Sequence, residues 1–192
     1  QSSGKSTLLN TMFGLKFAVS AGRCTRGAFL QLVPVEPGSS KFDFVAVIDT
    51  EGLRAPELGL DKYRHDNELA TLVLGLGDVT VINLKGENSA EIKDILQIVV
   101  HAFIRMKMAN RMQDLRRRCI FVHQNVPAVG AKEKMMDQNC KMQEDLDKIT
   151  REAAEGEKVA SVRCFSDIIS FDSDKDIFYM SDLWLGDPPM AP

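Results

Sequence analysis

The sequence predicts an α/β fold, with a mostly parallel sheet covered by helices on both faces and one antiparallel hairpin at the sheet edge. Three observations support this prediction. Segments rich in β-branched and aromatic residues alternate with helical segments after residue 42. The predicted strands are apolar on both faces, which is typical of buried parallel sheets. A turn at residues 37–40 joins two β-rich segments and so predicts the hairpin.

The first half of the chain predicts a short helix, a loop, the hairpin, a longer helix and a strand. The helix covers residues 6–13, and the loop at residues 17–27 contains Gly, Ser and Arg without a helical period. The hairpin strands are residues 28–35 and 42–48, followed by a helix at residues 61–76 and a strand at residues 78–84.

The second half predicts two helices with apolar stripes and the remaining strands. The helices cover residues 87–108 and 131–155, and the strands cover residues 118–123 and 164–171, with a last helix at residues 174–185. The stripe of the first helix is Ile92, Ile95, Leu96, Val99 and Phe103, and that of the second is Met135, Met142, Leu146 and Ile149.

Composition limits the classes of function. The chain has 192 residues, 44% hydrophobic and 27% charged, as in one ordinary globular domain. Its net charge of −3 argues against a broad nucleic-acid-binding face, and residues 116–118, three arginines, are predicted to be a solvated cap before a strand. No apolar run is long enough to cross a bilayer. The cysteines are scattered, and Cys119 is predicted to be a buried free thiol.

The first seven residues end in the second half of a phosphate-binding P-loop. In that motif, loop and helix N–H groups bind the phosphates, and Gly4 lets the backbone come close to them. Lys5 would bridge the β- and γ-phosphates, and the Ser6 hydroxyl would bind Mg²⁺. The predicted nucleotide-binding residues of this loop are Ser3, Gly4, Lys5, Ser6 and Thr7. The alternative is a Gly-Lys-Ser turn that merely starts a helix.

A carboxylate follows the second hairpin strand, where P-loop GTPases hold Mg²⁺ and sense the γ-phosphate. Asp49 would hold Mg²⁺ through water, and the Gly52 N–H would sense the γ-phosphate. Thr25, in the loop before the hairpin, would close over Mg²⁺ and direct its carbonyl at the attacking water. Arg23 and Arg26 either supply charge to the transition state or are solvated loop cations.

These motifs resemble those of large GTPases. Residues 1–6 look like the dynamin-type P-loop, and residues 25–27 and 49–53 look like the two switch segments of guanylate-binding and atlastin-like proteins. Residues 49–58, 65–71, 94–100 and 121–126 resemble the very large interferon-inducible GTPases. This resemblance implies a P-loop NTPase three-layer sandwich that binds GTP and Mg²⁺, inside a larger cytoplasmic and nuclear protein. It also implies a homodimer across the nucleotide face.

The resemblance also implies roles for single residues. Gln1 and Ser2 would position the attacking water and a charge-compensating cation, although guanylate-binding proteins have an arginine finger at the place of Ser2. GTPases usually bind guanine through an aspartate after the fifth strand. The corresponding stretch here, residues 121–126, contains Asn125 and no carboxylate. The predicted G domain is residues 1–186, and it is expected to begin inside the P-loop, without the strand that precedes this loop. Residues 187–192 are predicted to form an exit linker.

Three functions fit these residues. The first is a Mg²⁺-dependent domain that hydrolyses GTP to drive switch movement or assembly. The second is a module that binds nucleotide, turns it over poorly and serves as a dimerisation scaffold. The third is an ATP-using P-loop enzyme, because the sequence shows no carboxylate that would read guanine.

Overall fold

The computed structural model describes residues 4–19, 25, 27–38, 40–52, 61–85, 89–109, 117–126 and 132–181. The chain divides into two compact units, Gln1–Tyr63 and Arg64–Pro192. Within the described segments, no helix combines the length and the apolar character that a membrane span requires.

The first unit contains one helix and a two-stranded hairpin. Helix α1 is Lys5–Phe13, strand β1 is Ala28–Pro34 and strand β2 is Phe44–Thr50. The strands are antiparallel, with Ala28 opposite Thr50 and Pro34 opposite Phe44. The structure therefore confirms the predicted helix and hairpin, with boundaries shifted by one or two residues.

Helix α1 packs against β2 and is held at both ends by glycines. Gly4 precedes it with a φ of 74°, and Gly14 follows it with a φ of 63°. Both values lie in the left-handed region, where a side chain is strained and glycine is not. Leu8 of α1 and Val47 of β2 are buried, so the helix presents its first turn towards the end of β2.

The second unit is a parallel sheet with helices. Helix α2 is Asp61–Leu76, and its residues from Arg64 onward belong to this unit. The other elements are β3 (Val79–Lys85), α3 (Ser89–Ala109), β4 (Arg118–Val126), α4 (Lys132–Gly156), a 3₁₀ turn (Phe165–Asp167) and β5 (Ile177–Ser181). The strand order is β3-β4-β5, and both pairs are parallel. Parallel neighbours need a crossover, which α3 and α4 provide.

The core of the second unit lies where α3 and α4 pack together and where aromatic side chains meet β4. The predicted stripes are largely confirmed, because Leu96, Val99, Phe103, Met142, Leu146 and Ile149 are buried. Phe121, Phe165 and Phe171 pack edge to face or tilted, with ring centroids 5.3 to 6.2 Å apart. Cys119 is buried as predicted, and burial raises the pKa of its thiol.

The predicted strand at residues 164–171 is wrong, and the predicted helix at residues 174–185 is wrong as far as residue 181; residues 182–185 lie outside the described residues. Residues 164–171 contain a 3₁₀ turn, because the Asp167 carboxylate accepts hydrogen bonds from the N–H groups of Arg163 and Cys164 and turns the chain. Only Ser170 of this segment bridges to β4, opposite Arg118. Strand β5 lies instead inside the predicted helix, where Ile177, Phe178 and Tyr179 pair with β4.

The arginines at the start of β4 make specific contacts that the sequence did not predict, although Arg118 is exposed as expected of a solvated residue. Arg116 lies outside the described residues. The Arg117 guanidinium donates to the carbonyls of Leu74 and Gly75, both at 2.8 Å, and so binds the last turn of α2. Arg118 pairs with the buried Asp176 carboxylate at 2.5 Å, joining the start of β4 to the turn before β5.

The structure thus shows a mixed α/β chain with an antiparallel pair and a parallel three-stranded sheet. Both features were predicted. The three-layer arrangement stays a prediction, as do the domain limits and the exit linker, because residues 187–192 lie outside the described residues.

Candidate functional site

The candidate site is built around Asp49, at the carboxyl end of β2. This carboxylate is 2% exposed. Its Oδ2 atom accepts a hydrogen bond from the Ser6 hydroxyl at 2.7 Å and another from the Thr25 hydroxyl at 3.1 Å. The two hydroxyl oxygens lie 3.4 Å apart. Three residues separated by up to 43 positions therefore converge on one point.

Local structure explains this convergence. Ser6 is in the first turn of α1, where its hydroxyl can face the adjacent strand. Asp49 shares the buried face of β2 with Val47, because alternate residues of a strand point the same way. The Glu51 N–H donates to the Gly27 carbonyl at 2.8 Å, which extends the hairpin pairing to the segment beside Thr25.

The other oxygen of Asp49 has no hydrogen-bond partner among the residues that the structure describes. Asp49 Oδ1 is buried, and within the described part of the chain nothing hydrogen-bonds to it. Such an atom is costly in a folded protein and marks a place where a ligand or water belongs.

The converging atoms suit Mg²⁺. Two hydroxyls and one carboxylate are hard oxygen ligands, and Mg²⁺ is usually held by one or two carboxylates together with substrate phosphates and water. Among the residues that the structure describes, no group of three or more His, Cys, Asp or Glu side chains could hold a metal. Hard oxygen ligands of the kind that Ser6, Thr25 and Asp49 offer suit Mg²⁺ better than a metal that prefers imidazole or thiolate.

Lys5 supplies positive charge at the same point. Burial lowers the pKa of its ammonium group, and the Asp49 and Glu51 carboxylates act in the opposite direction. Glu51 is 4% exposed, and sequence reasoning missed it. Its position two residues after Asp49, on the same side of the extended chain, was the signal that could have found it.

The structure brings together only some of the predicted residues. Lys5, Ser6, Thr25 and Asp49 form one cluster, and Gly4 begins the helix beside them. Thr7 is exposed, and its carbonyl accepts a hydrogen bond from Thr11. Gly52 directly follows Glu51 and is partly buried. The predicted residues Gln1, Ser2 and Ser3, and the loop cations Arg23 and Arg26, lie outside the described residues.

Asn125 belongs to the second unit, near the end of β4. It is exposed and has a φ of 59°, in the left-handed region. Two residues before it, the His123 ring stacks on Tyr179 with centroids 5.0 Å apart. Burial lowers the pKa of His123.

The comparison with known proteins decides the family. The sequence profile described as the URGCP-like GTPase domain matches residues 1–192. The chain belongs to this family. The chain is 52% identical, over its whole length, to "Interferon-induced very large GTPase 1" of Mus musculus and 50% identical to the Homo sapiens protein of that name. It is 38% identical to "Up-regulator of cell proliferation" of Bos taurus, with 98% of the chain aligned.

The chain spans a small part of these relatives. It covers 8% of the length of the two very large GTPases and 20% of the bovine protein. The resemblance to the very large interferon-inducible GTPases, predicted from residues 49–58, 65–71, 94–100 and 121–126, is thereby confirmed.

Proposed function

We propose that this domain binds GTP together with Mg²⁺ and hydrolyses it to drive switch movement or assembly of a larger protein. The observation that carries the proposal is the convergence of Ser6, Thr25 and Asp49 beside a partly buried lysine. These residue types at one point are what phosphoryl transfer requires: a hard-oxygen metal site and a cation for the phosphates. Membership of a GTPase domain family supports the choice of GTP.

Each residue has a distinct task in this proposal. The Lys5 ammonium attracts the β- and γ-phosphates, and the helix N-terminus after Gly4 presents N–H groups to them. Ser6, Thr25 and Asp49 would hold Mg²⁺, which supplies charge neutralisation to the phosphates when it is bound. Before binding, the Ser6 and Thr25 hydroxyls donate to Asp49, so the ligand oxygens are already assembled.

Further residue roles are also part of the proposal, because no contact in the described structure tests them. We assign positioning of the attacking water to Gln1, Ser2 and Thr25, contacts to phosphate to Ser3, Thr7 and Gly52, and a contact to the base to Asn125. From the same resemblance we propose a cytoplasmic and nuclear location.

Removing one hydroxyl tests the metal site. We expect Ser6→Ala in the full-length protein to weaken Mg²⁺-dependent GTP binding by roughly tenfold or more, since a metal ligand is lost. Affinity in EDTA should change little. The measurement is titration with a fluorescent GTP analogue, with and without Mg²⁺.

Thr11→Ala is the matched control for this test. Its hydroxyl lies on the same helix and donates to the Thr7 carbonyl at 2.9 Å, away from Asp49. It should leave the Mg²⁺ effect unchanged. Equal Mg²⁺ effects in the parent and in Ser6→Ala would contradict the assignment.

A second candidate is a nucleotide-binding scaffold with little turnover of its own. The feature that favours it is Asn125, an amide at the place where GTPases commonly have a carboxylate. Dimerisation across the nucleotide face would supply groups that one copy lacks. GTP turnover per protein that rises with protein concentration supports a dimer-activated enzyme, whereas turnover that stays near zero at every concentration supports the scaffold.

A further inference from the structure

The hairpin of the first unit has one side that is apolar along most of its length. Residues directly opposite each other in an antiparallel pair point to the same side of the sheet. Three such pairs make up this side, which we call the outer face: Leu30 with Ile48, Leu32 with Ala46 and Pro34 with Phe44. Between its first and last pair, the outer face therefore carries only apolar side chains.

Two polar side chains of the hairpin lie on the opposite side, which we call the inner face. There Gln31 stands opposite Val47, and Phe29 stands opposite Asp49. Val47 and Asp49 are buried, and Ser6 of helix α1 donates to Asp49, so α1 lies against this face. An antiparallel sheet with one solvated face normally has its polar residues on the solvated side. The reversed arrangement is the composition expected of a sheet that is buried on both sides.

The outer face is nevertheless exposed in the structure. Leu30, Leu32 and Phe44 are 58, 62 and 60% exposed. These side chains adjoin one another, because they belong to consecutive cross-strand pairs. Single exposed apolar side chains are common on protein surfaces, whereas adjoining ones are characteristic of interaction sites.

The size of the outer face limits what can cover it. Each strand has seven residues, so the face is about 24 Å long and, for two strands, about 10 Å wide, or about 240 Å². Two copies packed face to face would bury about 480 Å² in total, well below the roughly 1,200 Å² that a stable interface between separate chains needs. A segment of the same polypeptide needs less area, because its tether keeps it at a high local concentration.

The relatives of this domain have ample chain to supply such a segment. The domain spans 8% of the length of the two very large GTPases. A helix is the element that best matches the face, because the apolar stripe of a helix packs flat against a sheet. At a rise of about 1.5 Å per residue, a helix of about 16 residues covers the length of the face.

We propose that the outer face is the docking site for an amphipathic α-helix of the same full-length chain, from outside residues 1–192. The apolar stripe of this helix packs on Leu30, Leu32 and Phe44, and its polar side faces solvent. The contact is intramolecular and does not involve the nucleotide, so it goes beyond the proposed function.

Photo-crosslinking in the full-length protein tests the proposal. The photoreactive residue p-benzoylphenylalanine replaces Leu32, and the cross-linked peptides are identified by mass spectrometry. We expect cross-links to a segment outside residues 1–192 whose apolar residues recur with a helical period. A cross-link within one chain leaves the mass of the denatured protein unchanged, whereas a cross-link between copies doubles it.

Met136, on α4, is the matched control position for the probe. It is 58% exposed, like the residues of the outer face, but the residues that follow it, Asp137 and Gln138, are polar and exposed. The same probe at Met136 should not reach the segment that the Leu32 probe reaches.

Hydrogen exchange provides a second measurement. Leu32→Lys places a charge at an exposed position, so the hairpin itself should still form, but the charge opposes the apolar stripe of the helix. We expect amide exchange in the cross-linked segment to accelerate by about tenfold or more, since that segment loses its docking contact. Leu32→Ile keeps an apolar side chain and should leave the exchange as in the parent, as should Met136→Lys.

Several results would overturn the proposal. A cross-linked product of twice the chain mass would make the outer face an interface between copies. Cross-links confined to residues 1–192, or to a different protein, would identify another occupant. The absence of any cross-link from the Leu32 probe would show a solvated face, and unchanged exchange in Leu32→Lys would show that this contact does not hold a helix. None of these results bears on nucleotide binding, so the proposed function stands in each case.

Discussion

At the scale of single residues, the two oxygens of Asp49 differ. One accepts two hydroxyl donors, whereas the other is buried without a partner among the described residues. A carboxylate arranged only for stability would have both oxygens satisfied. This asymmetry supports the proposal that the second oxygen faces a ligand or water.

Lys5 leads to a pH prediction. Its pKa is lowered below the usual 10.5 because burial disfavours the charged ammonium. Phosphates bind the charged form, so binding must be accompanied by proton uptake once the pH exceeds the lowered pKa. We expect GTP affinity to fall as the pH rises through that value, beginning below 10.5.

The matched variant for this prediction is Lys5→Arg, since a guanidinium stays charged over the same range. Titrations of parent and variant between neutral and alkaline pH provide the measurement. Ionisation of guanine affects both proteins equally and cancels in their ratio. Parallel pH curves for the two proteins would show that Lys5 does not control the loss.

At the scale of elements, the first unit joins α1 to the chain that follows it. The Asn10 amide donates to the Phe17 carbonyl at 2.9 Å, and the Phe17 N–H donates to Asn10 Oδ1 at 2.8 Å. Phe17 is itself buried. These contacts fix the direction in which the chain leaves the helix on its way to Thr25.

We expect Asn10→Ala to destabilise this connection by about 1 kcal/mol or more, because it leaves the partly buried N–H and carbonyl of Phe17 without these partners. Hydrogen exchange of residues 14–19 in the full-length protein measures the effect, since exchange reports local opening. Asn10→Asp keeps the acceptor and loses the donor, so its effect should be intermediate. Identical exchange in all three proteins would contradict the role of Asn10.

Helices whose apolar residues recur with a helical period over many turns were predicted correctly. Segments whose backbone conformation is set by side-chain hydrogen bonds were not. The stripes of α3 and α4 give clear helical periods, and both helices are found within a few residues of their predicted bounds. Residues 164–171 look β-rich, yet Asp167 turns them. Residues 177–181 follow an acidic turn in which Asp176 binds Arg118 at the start of β4. The residues after this turn then pair with β4 as strand β5.

At the scale of the whole molecule, the second unit depends on an aromatic core that links its sheet to the long turn before β5. Phe165 is fully buried and contacts the rings of Phe103, Phe121 and Phe171. The residue comes from the segment that the sequence assigns wrongly, so the core needs this turn as much as it needs the predicted helices.

We expect Phe165→Ala to cost about 3–5 kcal/mol, from lost burial and the cavity that remains. Hydrogen exchange of β4 and β5 is the measurement. Phe178→Ala is the control, because Phe178 is also an aromatic residue of this unit but is 50% exposed. Comparable acceleration in both variants would mean that the ring cluster does not stabilise the sheet.

The sequence by itself determined the family, the hairpin, the parallel pattern and the residues Lys5, Ser6, Thr25 and Asp49. It could do so because strand and helix periods, glycine positions and short phosphate-binding motifs are local properties of the chain. Tertiary structure alone decided which oxygen of Asp49 has no partner among the described residues, that Glu51 acts on the charge of Lys5, that residues 177–181 form a strand and that Asn125 has a left-handed backbone conformation. Each of these depends on groups distant in sequence that compete for the same hydrogen bonds and the same buried space, and no local pattern records the outcome of that competition.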